Sequence, residues 1–210
     1  MTGVRGRLIA LEGIDGCGKS TQARTLAERI GAVSTFEPGA TPLGASLRTL
    51  LLDRHAAPVS TRSEALLMAA DRAQHVAEVI VPALESGQWV VTDRYSASTL
   101  AYQGFGRGLD REALEALVEW ATAGLRPDLT VLFDLPVAVA ASRRGGDEDR
   151  MEAEGEAFLQ RVADGYLTLA AESADPWLVV DATGTVDVIA ETIWNAVEML
   201  TGPNASDGER

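Results

Sequence analysis

The densest chemical signal lies in eight consecutive residues, Gly13-Ile14-Asp15-Gly16-Cys17-Gly18-Lys19-Ser20. Their spacing fits GxxxxGK[ST], in which glycines let successive backbone N–H groups turn inward around an anion. The amine of Lys19 then reaches outer phosphates, the hydroxyl of Ser20 suits Mg²⁺, and Thr21 lies in the first turn of a helix whose positive end adds to the field. Lys19 is the only lysine among 18 basic residues, the others all being arginine. Whatever removed lysine from the chain did not remove it there.

A metal-bound nucleotide also needs a carboxylate at the end of a neighbouring strand. Asp93, directly after the apolar run Trp89 to Thr92, is better placed than Asp134, whose alternative role is a structural acid or helix cap. Three arginines, Arg48, Arg72 and Arg94, sit where helix or strand ends could aim guanidinium forks at one cleft, and such forks suit a phosphate monoester. Arginines on helices are otherwise mostly solvated surface residues.

Five short apolar runs, Leu8 to Leu11, Ala32 to Phe36, Trp89 to Thr92, Leu129 to Leu135 and Trp177 to Val180, read as strands covered on both faces. Helical patterns separate them, so the expected fold is α/β, with a five-stranded parallel sheet flanked by helices. The helix starting at Ser20 repeats Ala23, Leu26, Ala27 and Ile30. Others start at Thr41-Pro42, at Thr61 with Glu64 as a capping box, at Asp110 and at Pro136, and two more run from Glu152 to Glu172 and from Val186 to Leu200. Pro82 predicts a kink or break within Ser63 to Glu85. Residues 1–200 read as one domain, with a lid near 142–154 and a frayed tail from 201 to 210.

With 210 residues and 46% apolar content the chain can bury a substantial core. Its 31 acidic and 18 basic residues give a net charge of −13, which repels nucleic acid and acidic membrane surfaces. The single cysteine, Cys17, precludes an internal disulfide, and two histidines make a zinc role unattractive. No stretch reads as a signal peptide or membrane span, so the expected compartment is the cytoplasm.

Asp93-Arg94-Tyr95 with Ser98-Thr99, then Ala101-Tyr102-Gln103-Gly104 and Gly106-Arg107-Gly108, resemble the signatures of bacterial thymidylate kinases. Glu37-Pro38-Gly39, Leu47 to Leu52, Ala70 to His75, Arg126-Pro127-Asp128 and Asp181-Ala182-Thr183 extend the resemblance over nearly the whole chain. It implies a three-layer P-loop NTPase fold, transfer of the γ-phosphoryl group of MgATP to dTMP, and a homodimer joined through helices. It further implies that Arg48, Arg72 and Arg94 clamp the dTMP phosphate, and that Thr99 and Gln103 lie beside thymine, with Arg72 reaching its edge. Ser98 belongs to the same pocket. Tyr102 would pack against the sugar where a ribose carries its extra hydroxyl, Asp15 would accept from the 3′-hydroxyl, and Glu37 would project between the nucleotides. Because Gly13 to Gly18 holds no basic residue, the resemblance assigns the charge-offsetting arginine to the lid, with Arg150 foremost and Arg143 and Arg144 near ATP.

Two positions depart from the family pattern. Met68 stands where many members stack a phenylalanine on thymine, and Phe36 where bacterial members often carry arginine. Two alternatives therefore stay open on sequence: another nucleoside monophosphate kinase with altered base preference, and a nucleotide-binding P-loop regulator.

Overall fold

In a computed structural model that describes residues 4–53, 55, 57–143 and 149–201, with backbone alone at Glu152 and Thr201, the apolar runs form one sheet. Its strands are β1 (Leu8–Glu12), β2 (Val33–Phe36), β3 (Val90–Asp93), β4 (Leu129–Asp134) and β5 (Trp177–Asp181), all parallel and ordered β2-β3-β1-β4-β5. The flanking helices are α1 (Lys19–Ile30), α2 (Pro42–Leu52), α3 (Thr61–His75), α4 (Val81–Glu85), α5 (Ser96–Thr99), α6 (Arg111–Thr122), α7 (Val137–Arg143), α8 (Glu156–Glu172) and α9 (Val186–Thr201).

The period-two alternation of β1 divides its side chains between two cores. Leu8 and Ala10 pack with Ile80, Leu84 and Tyr95 on one face, while Ile9 and Leu11 join Val91, Val131 and Phe133 on the other. Each fully buried aliphatic side chain contributes about 1.5–3 kcal/mol, so β1, β3 and β4 form the stable trunk. The expectation that all five strands are covered on both faces fails at β2 and β5: these are the sheet edges, and residues such as Ser34 and Val179 are exposed.

Caps largely follow the sequence. Thr41 accepts from Gly44 N–H at 2.9 Å, and Asp110 accepts from Ala113 N–H at 2.9 Å. The box expected at Thr61 is a correction: Ser60 is the cap, accepting from Ser63 N–H at 3.2 Å. The start one residue earlier moves Glu64 past the capping position and turns it into the protein, where it is buried.

Pro82 acts upstream of itself. Pro82 lacks an N–H and its ring would crowd the carbonyl four residues earlier. Here the chain widens into a π-helical segment over Val76–Ile80 before α4. The segment expected to run from Glu152 to Glu172 is interrupted by Gly155 at φ +89°, leaving a 3₁₀ turn at Glu152–Glu154 before α8. A second π-helical segment, Leu100–Gly106, follows α5 and carries Tyr102 and Gln103.

Register lines up the carboxyl ends that matter. Leu11 and Phe36 both pair with Asp93, so the loop after β1, Glu37 after β2 and Arg94 after β3 emerge side by side. Ligands of open parallel sheets bind at this edge.

Candidate active site

The phosphate loop leaves β1 through Gly13 at φ +141°, where a Cβ would meet the Phe133 carbonyl oxygen at 2.9 Å. Gly16 and Gly18 also have positive φ, and α1 begins at Lys19. Ile14, Cys17 and Lys19 are buried, whereas Ser20 and Thr21 are exposed at the helix start. The Lys19 ammonium crosses the loop to donate to the Ile14 carbonyl at 2.9 Å, and lies 3.9 Å from Asp15 Oδ1. Ser20 Oγ donates to Asp93 Oδ2, and the other carboxylate oxygen, Asp93 Oδ1, is buried with no donor among the described residues. A hydroxyl joined to a carboxylate with one uncommitted buried oxygen beside a phosphate loop fits Mg²⁺, which takes few protein ligands when phosphates supply others. Asp134 lies exposed at the end of β4 opposite Asp181.

Arg94 joins this loop to the facing wall. Its backbone has φ +73°, unusual for a residue with a side chain, and its N–H donates to the Leu11 carbonyl at 2.9 Å. Its guanidinium donates to Asp15 Oδ1 at 2.6 Å, Tyr102 Oη at 3.1 Å, Gly13 O at 3.1 Å, Ser98 Oγ at 3.2 Å and Tyr166 Oη at 3.3 Å. Burial opposes ionisation of Asp15, but the charges of Arg94 and Lys19 prevail and hold its carboxyl well below the ordinary range. Tyr102 Oη donates to Asp15 Oδ2 at 3.1 Å, which fixes the ring as a wall.

Behind Arg94 stands Glu12, fully buried at the end of β1. Its Oε1 accepts from the backbone N–H groups of Tyr95 and Ser98 at 2.9 and 3.2 Å, and its Oε2 from Ser98 Oγ and Tyr166 Oη at 2.6 and 3.0 Å. Burial pushes its carboxyl upward, against these donors and Arg94. One strand carboxylate thus fixes the start of α5 and two of the three hydroxyls that contact Arg94, those of Ser98 and Tyr166.

Arg72 is held from three sides: Nε donates to Glu37 Oε2 at 2.8 Å, Nη1 to Thr99 Oγ1 at 2.7 Å and Nη2 to the Tyr95 carbonyl at 2.8 Å. Glu37 is itself shared with His75 Nδ1 at 2.9 Å, and His75 Nε2 meets Thr35 Oγ1 at 2.7 Å. Arg48 Nη1 donates to the Pro38 carbonyl at 2.7 Å, and its guanidinium lies 5.9 Å from the Phe36 ring. Phe36 therefore supplies a face for Arg48.

These groups line an open cleft. Asp15, Glu37, Arg48, Arg72 and Arg94 form its charged part, and Met68, Ser98, Thr99, Tyr102 and Gln103 also line it. All ten residues that the resemblance assigns to the acceptor pocket come together there. A second hollow, reaching Ser20 and Asp93, shares Asp15, Glu37, Arg48 and Arg94 with the first.

The arginines expected in a lid lie at separate places. Arg150 donates its backbone N–H to the Leu52 carbonyl at 3.1 Å and Nη2 to Glu64 Oε2 at 3.2 Å, while Nη1 is buried without a partner among the described residues. Its guanidinium is thus at α3. Arg143 Nη1 donates to the Ala182 carbonyl at 2.8 Å, after β5. Of the tail expected over 201–210, Thr201 ends α9, and residues 202–210, like Arg144, lie outside the described residues.

The sequence by itself points to no role for Glu12, Asp71, His75, Arg107 or Tyr166, and to Glu64 only as a cap. A signal for Glu64 existed: residues 64, 68 and 72 share one helical face. Asp71 accepts from Gly39 N–H at 3.0 Å, and a Cβ at Gly44 would meet its Oδ1 at 2.4 Å. Burial and then the Glu37 charge raise its carboxyl from 3.8 to about 6. A folded state that binds this proton more tightly is favoured below 3.8 and loses that advantage as pH rises through about 6. We expect wild-type stability, followed by urea denaturation, to fall relative to Asp71→Asn across this window and then to level off; parallel curves would show that Asp71 does not titrate there.

A family model described as thymidylate kinase matches residues 11–193. The chain belongs to the thymidylate kinase family. It is 52% identical over 200 residues to the thymidylate kinase of Synechococcus sp. strain CC9902, covering 90% of this chain and 95% of that one. With the thymidylate kinase of Cupriavidus necator it shares 48% identity over 199 residues, 90% of this chain and 97% of the relative. With that of Cupriavidus metallidurans it shares 49% over 203 residues, 94% and 100% respectively. Family membership accounts for the five-stranded parallel sheet and the phosphate loop at its carboxyl edge as parts of a P-loop NTPase fold.

Proposed function

We propose that the chain is an ATP-dependent thymidylate kinase that transfers the γ-phosphoryl group of MgATP directly to dTMP, giving ADP and dTDP. The observation that carries this reading is the pair of hollows joined through Asp15, Glu37, Arg48 and Arg94. A donor on the phosphate loop and an acceptor in the cleft would meet at these residues, with two guanidinium groups where phosphates converge.

Catalysis in this arrangement is mainly positioning and charge stabilisation. Lys19 holds the outer donor phosphates, and Arg94 orients the acceptor phosphate while Asp15, kept ionised, accepts from the 3′-hydroxyl. Ser20 and Asp93 would hold Mg²⁺, which when bound neutralises charge on the donor phosphates. The acceptor oxygen is already anionic, so no strong general base is required. The Tyr102 ring, fixed through its hydroxyl, restricts the space open to a 2′-hydroxyl, which favours a deoxynucleotide by exclusion.

Arg150 is proposed to offset charge on the transferring group, although its guanidinium here rests on Glu64. In a coupled ADP-release assay with MgATP and dTMP, Arg150→Ala is expected to lower kcat by about 10²-fold with a smaller rise in KM for dTMP. The reverse split would assign Arg150 to acceptor binding.

The same reading includes a homodimer, supported by exposed Leu43, Leu50, Leu66 and Trp120 on α2, α3 and α6. Leu114 and Val118 of α6 are instead buried in the core. A reducing cytoplasm is the proposed compartment and suits a chain whose one cysteine is a free, buried thiol. No helix among the described residues is long and apolar enough to cross a membrane.

A further inference from the structure

Glu64, like Asp71, is an acid of α3 that the phosphoryl-transfer scheme leaves unused. It is 1% exposed and faces four donor interactions from three residues. Oε1 accepts from Gln103 Nε2 at 2.9 Å and Arg107 Nε at 3.2 Å, and Oε2 accepts from Arg107 Nη2 at 3.0 Å and Arg150 Nη2 at 3.2 Å. Arg107 is fixed in turn by Glu154 Oε1 at 2.5 Å and by its position over the Phe158 ring at 4.9 Å.

Between two guanidinium groups, this carboxylate can act only as an acceptor. Gln103 must therefore turn its amide nitrogen toward Glu64, because the opposite orientation would set two oxygens against each other in a buried site. That commits the carbonyl oxygen of Gln103 to the other limb of the amide, where it meets no donor among the described residues, and Gln103 lines the cleft.

We propose that Glu64 is a positioning residue that sets acceptor base choice by locking the Gln103 amide with its oxygen available to the base. This rests on the reading that Gln103 lies beside the acceptor base. An acceptor oxygen there suits a pyrimidine whose N3 carries hydrogen, as thymine does. It opposes one whose N3 is a bare acceptor, as in 5-methylcytosine, which has the same methyl group and nearly the same shape. Base selection then derives in part from a carboxylate that need not touch the base.

The test compares dTMP with 5-methyl-dCMP as acceptors for the wild type, Glu64→Gln and Gln103→Leu. In Glu64→Gln the neighbouring amide can donate as well as accept, so Gln103 is free to reverse. We expect the kcat/KM preference for dTMP over 5-methyl-dCMP to fall at least about tenfold, chiefly through KM, with KM for MgATP unchanged. Equal losses on both acceptors would mark Glu64 as merely structural and overturn the proposal, as would an unchanged preference. Gln103→Leu separates the two levels of inference. If it leaves the kinetics of both acceptors unchanged, Gln103 is not beside the base and the underlying reading fails; if it changes them while Glu64→Gln does not, that reading stands and the role of Glu64 falls. The wild type gives a further check independent of whether either variant folds: turnover of 5-methyl-dCMP within about tenfold of dTMP would overturn the lock outright, and strong discrimination is the expected result.

Discussion

Replacing Lys19 with alanine is expected to lower kcat by about 10³-fold or more while leaving the fold and dTMP binding in place. The ammonium is buried and, among the described residues, bonded only within its own loop region, to Ile14, Cys17 and Asp15, so its removal breaks no contact there between distant elements. The loop conformation is set instead by the positive φ values of Gly13, Gly16 and Gly18. Lys19 is also the only lysine in the chain, so no second lysine can substitute for it. A coupled assay at saturating MgATP, with circular dichroism and a dTMP titration as controls, provides the check. Near-normal turnover would remove Lys19 from the mechanism.

Arg94→Ala has the next largest expected effect, a fall in kcat/KM for dTMP of about 10²–10³-fold, with KM for MgATP changed much less. Two losses combine. The acceptor phosphate loses a guanidinium fork, and Asp15 loses the charge that does most to keep it ionised in a buried place. Its titration should therefore move upward, so the variant's residual activity should fall toward acid pH where the wild type is flat. Arg94→Lys restores a charge but not the fork that reaches Asp15, Ser98 and Tyr102 together, and should recover only part of the loss. If both variants bind dTMP normally, Arg94 is structural.

The strands and the phosphate loop were legible because each depends on local pattern: uninterrupted apolar runs for a doubly covered sheet, and glycines at fixed offsets before Lys19. The same logic errs at β2 and β5, since a four- or five-residue run does not tell a central strand from an edge. The arginines of the cleft could be named through resemblance, yet their partners could not. Arg94 meets Gly13 and Tyr166, residues 81 and 72 positions away, and no local spacing announces such pairs. The π-helical segments at Val76–Ile80 and Leu100–Gly106 depart from the 3.6-residue period by which a helix shows in sequence. The second segment matters more, because widening the helix there changes which way Tyr102 and Gln103 point. Glu64 was misread for a simpler reason: Ser and Thr are both good caps, and a one-residue error in the start exchanged a surface role for a buried one.

The four donors gathered on Glu12 have a mechanical meaning. That carboxylate ends the same strand from which the phosphate loop departs, and it grips the segment presenting Arg94 and Ser98. Donor and acceptor platforms are therefore cast as one stator, and neither can slide against the other without tearing bonds from a single carboxyl group sealed in the trunk. Adjustment during a catalytic cycle must fall to parts bolted on at the rim, and the distance between the two phosphates is gauged by the frame rather than rediscovered at each turnover.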